Sequence, residues 1–227
     1  CELHIPHNFT LRISSYLLYM NFNAVYFLGA GGIGMSALER YFRQQGLFVA
    51  GSDRTPSTLT DALQTEGIEI HFEDNPELIP APCRNPQQTL VVYTPAIPAD
   101  HQEMAWFREN GFELHKRAQV LGTLTQSMKG LCVAGTHGKT STSAMTAHLL
   151  HQSHVGCNAF LGGITKNYGT NYLLSAKSEY VVIEADEFDR SFHHLRPYAT
   201  AITSADPDHL DIYGTEEAYL ESFAHYT

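Results

Sequence analysis

From residue 20 onward, short runs of apolar and β-branched residues alternate with longer stretches whose apolar positions recur at helical spacing. The short runs, at 24–28, 47–50, 68–72, 89–94, 130–134, 180–184 and 199–203, read as strands. Helical patterns occupy 33–45, 57–65, 100–110, 117–127, 139–152 and 215–226. In the last of these Thr215 is placed as an N-cap, with Glu216 and Glu217 in the first turn. Strands alternating with helices predict parallel sheets covered by helices on both faces. There is no internal repeat at a fixed short period. Pro80 to Gln88 reads as a turn-rich surface loop, and the segment Ser127–Gly130, where a helix gives way to a fresh strand, as a boundary. The pattern therefore divides the chain into a first α/β unit over 20–127 and a second over 128–227, the second incomplete.

Residues 1–19 show neither a clean period nor a capping signal, and they lack the basic start and small-residue cleavage site of a secretory leader. Met20 stands just before the first strand, so 1–19 is expected to be a leader foreign to the fold. The other terminus stops as its helix ends and is expected to be a cut.

Composition narrows the partners. Hydrophobic residues make up 43% and charged residues 17%, which allows a proper core and excludes wholesale disorder. The net charge of −10, with no Lys/Arg-rich run, argues against nucleic acid or an anionic membrane as the main partner. Cys1, Cys83, Cys132 and Cys157 lie far apart and read as reduced thiols of a cytoplasmic protein. No apolar run approaches the roughly 18 residues of a membrane span.

An acidic protein binds phosphates by concentrating backbone N–H groups and a few cations locally, and two loops are built for that. The first, Gly29-Ala30-Gly31-Gly32-Ile33-Gly34-Met35-Ser36, links a strand to a helix, and Asp53 closes the next strand. Glycines permit the tight turn and close backbone approach, and the helix N-terminus faces the diphosphate. On geometry alone NAD(P), FAD and UDP-sugars all suit it. The second loop, Ala134-Gly135-Thr136-His137-Gly138-Lys139-Thr140-Ser141, ends in the G-K-[ST] of a P-loop, with Lys139 directed at β/γ-phosphates and the Thr140 hydroxyl at Mg²⁺. Val133 stands where the usual spacing asks for a glycine, so the loop is a shortened variant.

Such a loop needs acidic metal ligands at a nearby strand end. Tyr180 to Ile183 runs into Glu184-Ala185-Asp186-Glu187-Phe188-Asp189, and all four acids face the crevice of the P-loop. Glu184, first after the apolar run, is the favoured ligand, and a solvated acidic turn is the lesser alternative for Asp186, Glu187 and Asp189. His209, amid Asp206, Asp208 and Asp211 in a later loop, is a candidate for a second metal position or for orienting a reacting group. His148, His151, His154 and Cys157 tempt a zinc reading. A strict three-residue step drifts around a helix of 3.6 residues per turn, so they read as a histidine-rich helix end. The adjacent His193 and His194 point to different faces and carry no metal signal.

Together the strings GAGGIGMSAL (29–38), GSDRTPS (51–57), YTPAI (93–97), AGTHGKTSTSAM (134–145), EADEFDRSF (184–192) and DPDHLDIY (206–213) resemble the Mur ligase family, from about residue 20 to the end. The resemblance implies an α/β fold with a Rossmann-like N-terminal domain for a UDP-sugar, then a P-loop ATPase domain expected to be truncated here, with the family's third domain expected to be missing from this chain. It implies an ATP- and Mg²⁺-dependent ligase of peptidoglycan synthesis that joins L-alanine to the carboxylate of UDP-N-acetylmuramate. The γ-phosphoryl of ATP would form an acyl phosphate, which the amine attacks. Gly29 to Ser36, with Asp53, would hold the UDP-sugar, and Gly135 to Ser141 the ATP. Lys139, Glu184 and His209 would be catalytic, and Thr140, Glu184 and His209 the metal ligands. Where the family usually has Asn before the D-x-D-H stretch this chain has Ser204, so that contact is not carried over. The chain alone is expected not to ligate. A tripeptide-recycling ligase of the same family and, from another class, an NAD(P)-dependent oxidoreductase are the alternatives.

Overall fold

The computed structural model describes residues 22–175 and 177–227. The expected leader over 1–19, with Cys1 and the Met20 start, lies outside the described residues.

The first sheet contains β1 (Ala24–Leu28), β2 (Phe48–Ser52), β3 (Glu69–His71), β4 (Thr89–Tyr93) and β5 (Leu114–Lys116), in the order β3-β2-β1-β4-β5. All pairings are parallel. Its crossovers carry α1 (Ile33–Gln44), α2 (Thr58–Thr65) and α3 (Gln102–Glu109). The central strand β1 is apolar throughout and wholly buried, as a strand covered on both faces must be. Strand order reverses between β1 and β4, which opens a crevice beyond their C-terminal ends. α4 (Arg117–Ser127) then leads to the second sheet.

That sheet contains β6 (Lys129–Ala134), β7 (Asn158–Phe160), β8 (Tyr172–Leu173), β9 (Tyr180–Glu184) and β10 (Ala199–Ile202), in the order β10-β6-β9-β7-β8. α5 (Lys139–Gln152) follows β6, and α6 (Leu210–Tyr213) and α7 (Glu216–Tyr226) follow β10. Thr215 caps α7, its hydroxyl accepting from Ala218 N–H. One pairing departs from the all-parallel expectation: β8 runs antiparallel to β7. The link between them, residues 161–171, has no room for a crossover helix, so the chain folds back as a hairpin. A second departure is β2, which continues through Gly51 to Ser52 in register with Phe27 and Leu28. The glycine there is a packing requirement, because a Cβ at Gly51 would lie 2.5 Å from the Phe27 carbonyl oxygen.

One apolar cluster runs through both sheets, from Phe27 and Val92 through Leu121 and Leu124 of α4 to Phe160, Val181 and Phe192. Across the join, the Tyr41 ring of α1 meets Phe160 and Tyr172 edge-on, with centroids 5.6 and 6.4 Å apart. Among the described residues no helix is long and apolar enough to cross a membrane.

Candidate functional site

The first loop leaves β1 at Gly29, whose φ of +90° suits glycine. A Cβ there would also lie 2.6 Å from Thr94 Cγ2. Gly31 N–H donates to Asp53 Oδ2 at 2.6 Å, and Thr55 N–H to Asp53 Oδ1 at 3.3 Å. Asp53 thus braces the loop's own backbone. Gly32 occupies the N-cap of α1 and offers no side-chain cap, so the helix start presents bare backbone donors. Ala30, Met35 and Ser36 are buried, and of the three Met35 also borders the crevice. The guanidinium of Arg117 fills the space where Gly34 lacks a side chain.

The second loop turns on Gly135 (φ +127°) and Gly138 (φ +85°). Two of its N–H groups are already used: Thr136 N–H donates to the Ser204 carbonyl at 3.1 Å and His137 N–H to Ser204 Oγ at 3.0 Å. The N–H cradle expected from the sequence is therefore narrowed towards the start of α5. The Thr136 hydroxyl donates to the Asp206 carbonyl at 2.6 Å and lies 2.7 Å from Tyr219 OH. Lys139 Nζ donates to the Gly135 carbonyl at 2.7 Å and pairs with Glu187 at 2.8–2.9 Å, a carboxylate almost wholly buried.

Glu184, at the end of β9, accepts from Thr140 Oγ1 at 3.0 Å through one oxygen and from Gly162 N–H at 3.0 Å through the other. The next three acids are each engaged. Glu187 holds Lys139, Asp186 lies 3.6 Å from Arg117, and Asp189 pairs with Lys116 at 2.6 Å. Thr140 and Glu184 are thus brought together as the sequence reading required. His209 is not brought to them: it sits at φ +53° before α6, its ring 5.3 Å from Phe188 and its Nε2 3.9 Å from Asp208.

Among the described residues, the acidic and histidine donors close enough to share one ion are Asp74, His101 and Glu103. They are consumed by structure: Asp74 accepts from the N–H groups of Gln102 and Glu103 at the start of α3, and buried Glu103 accepts from Tyr26 OH and Ser52 Oγ. In the histidine row, His148 and His151 both face Tyr168, and Cys157 donates to the Ala147 carbonyl. His193 bonds to Ser222, while burial holds the His194 ring below its ordinary pKa. Burial pushes the thiols of Cys83 and Cys132 up to about 12 and Cys157 to about 11.

A cavity of about 330 Å³ joins the two halves, lined by Gly32–Met35 on one side and Glu184 and Asp186 on the other, with Thr94, Arg117 and Gly162 between. Arg117 and Gly162 escaped the sequence reading as site groups, and Glu187, considered there only as a lesser metal-ligand candidate, is the partner of Lys139. Arg117 follows β5, too short to register as a strand, while Gly162 lies in a hairpin whose strands have three and two residues.

Two family models match the chain, one for the catalytic domain of the Mur ligase family over residues 24–129 and one for the Mur ligase middle domain over 133–226. The UDP-N-acetylmuramate–L-alanine ligase of Phocaeicola vulgatus is 72% identical over 204 residues, and that of Parabacteroides distasonis 65% identical over 204. Each alignment takes in 90% of this chain and 44% of the relative, so the chain spans less than half the length of the curated relatives it matches. The crystal structure of UDP-N-acetylmuramate-alanine ligase from Thermotoga maritima superimposes with a TM-score of 0.80 at 31% identity, over 89% of this chain and 46% of that one. With both units matched along nearly their whole length, the chain belongs to the Mur ligase family.

Proposed function

We propose that the protein carrying this chain is the ATP-dependent ligase that joins L-alanine to the carboxylate of UDP-N-acetylmuramate in the cytoplasm. Residues 20–127 hold the nucleotide sugar and 128–227 part of the ATP site. The observation that carries this reading is the pairing of Thr140 with Glu184, a carboxylate that lines a cavity whose other wall is the start of α1. The similarity to ligases of that name, at up to 72% identity, supports L-alanine as the amine.

In this reading the bare donors at Ile33 and Gly34 take the UDP diphosphate, and Arg117 beside them adds a cation. Lys139, steadied by Glu187, holds its charge at the mouth of the second loop, where the γ-phosphoryl passes to the sugar's carboxylate and the amine then displaces phosphate. The hydroxyl of Thr140 and the carboxylate of Glu184 are hard oxygen donors 3.0 Å apart, a set that fits Mg²⁺, with His209 proposed for a second metal position. A bound Mg²⁺ would offset the charge crowded between two anionic substrates.

Phosphate release by the full-length protein, with UDP-N-acetylmuramate and ATP, tests the assignment. L-alanine should drive it and the murein tripeptide should not. Release with the tripeptide alone would transfer the protein to the recycling reaction.

A further inference from the structure

Asn171, at the foot of β8, has no exposed surface, and its carboxamide is fully engaged across the join between the two sheets. Its Nδ2 donates to the Ile33 carbonyl and, at 3.1 Å, to Ser36 Oγ, both in the first turn of α1; its Oδ1 accepts from Arg40 Nη1 of the same helix at 2.9 Å. Arg40 is held in turn by Glu66 through a forked pair at 2.8 Å. A buried amide with every partner on one helix of the other unit fixes direction as well as contact, because removing it takes away three bonds to that helix at once.

The backbone of the same residue continues the connection. The Asn171 carbonyl accepts from Leu161 N–H at 2.9 Å, and the next N–H, of Gly162, donates to Glu184, which accepts from Thr140. Five linked groups thus run from the start of α1, the diphosphate end of the cavity, to the start of α5, the P-loop end. Each loop could bind its own ligand without that connection. The reaction between the two ligands could not proceed well, because a displacement of about 1 Å between reacting groups costs on the order of 100-fold in rate.

We propose that Asn171 is a positioning residue that sets the distance between the two phosphate loops, and so the approach of the carboxylate of one substrate to the transferred phosphoryl of the other. It rests on the proposed ligase reaction for its kinetic consequence, though not for its structural one.

The test uses the full-length protein with Asn171→Leu, which keeps the volume of the side chain and removes its polar bonds. Binding of UDP-N-acetylmuramate and of ATP, each measured alone by calorimetry, should stay within about threefold of the unmodified protein. kcat should fall roughly 10- to 100-fold. Asn171→Gln should not restore it, because the longer arm displaces the amide. In parallel, spin labels on Glu109→Cys and Glu216→Cys, with Cys1 replaced, report the separation of the units without any ligand. The distribution should be narrow in the parent and broader or displaced in Asn171→Leu. Should that variant fail to fold, Arg40→Met removes the Oδ1 bond together with the Glu66 pair and leaves the Nδ2 bonds; it is read in the same way against Glu66→Gln, which weakens the pair alone. Unchanged kcat with an unchanged distribution overturns the proposal, as does a kcat loss matched by equal losses in both binding constants. If the parent binds neither nucleotide, the ligase reading falls, and the label distances alone decide whether Asn171 sets the separation of the two loops.

Discussion

Glu39 lies on α1 with none of its surface exposed and neither carboxylate oxygen hydrogen-bonded. Burial pushes its pKa well above the ordinary value near 4.5. The folded state therefore binds this proton more tightly than the unfolded chain, and the contribution of Glu39 to stability declines as pH rises from about 4.5 towards the raised value. Glu39→Gln should leave stability at pH 4 nearly unchanged and raise it by roughly 1–3 kcal/mol at pH 8, measured by urea unfolding at the two pH values. Equal stability at both would mean that the carboxylate finds partners in solution. Lys139 and Glu184 make a second case at this scale. Each has its own anchor, Glu187 for one and Thr140 with Gly162 for the other, yet both serve one phosphate site in the proposed reaction. Lys139→Ala and Glu184→Ala should each cost roughly 10²–10³ in kcat of the full-length protein, and the double variant little more than the worse single. Multiplicative losses would separate the two residues into different sites.

Between the residues and the whole lie the short elements that sequence periodicity could not resolve. β1 and β9 were legible to the residue because five consecutive strand positions, nearly all apolar, admit no other reading, and α4 and α5 because their helical patterns run for 11 and 14 residues. The Gly-rich loop and the G-K-T loop were legible because glycine is demanded by backbone angle. β5, β7 and β8, of three, three and two residues, carry too few positions to establish a period, so Arg117, Gly162 and Asn171 came into the site unannounced. The partners of Asp186, Glu187 and Asp189 were hidden for another reason: each is more than 45 residues away along the chain or on another element, where spacing says nothing. The β7–β8 hairpin matters because a Cβ at Gly162 would stand 2.5 Å from the Glu184 carboxylate. Gly162→Ala should therefore displace Glu184 and raise the Mg²⁺ concentration needed for half-maximal ligation by about tenfold or more, with the nucleotide-sugar KM little changed. An unaltered Mg²⁺ requirement would place the metal elsewhere.

At the scale of the molecule, the apolar cluster passing from Phe27 through Leu121 to Phe192 couples the two sheets. The charged pairs near the join, Lys116 with Asp189 and Arg117 with Asp186, are a quarter to two-fifths exposed and add little. Continuity of buried area predicts one cooperative transition: calorimetry on this chain should give a single peak with equal calorimetric and van't Hoff enthalpies, insensitive to salt. Two peaks would show that α4 serves as a tether.

The bond from Gly31 to Asp53 also bears on ancestry. A fold of this shape can in principle be retooled from one nucleotide to another by altering a loop. Here the acid that a dinucleotide would want is already the keystone of the turn. A substitution at Asp53 made to change what the loop reads would therefore also loosen the loop itself, so ligand choice and loop shape are tied to one residue.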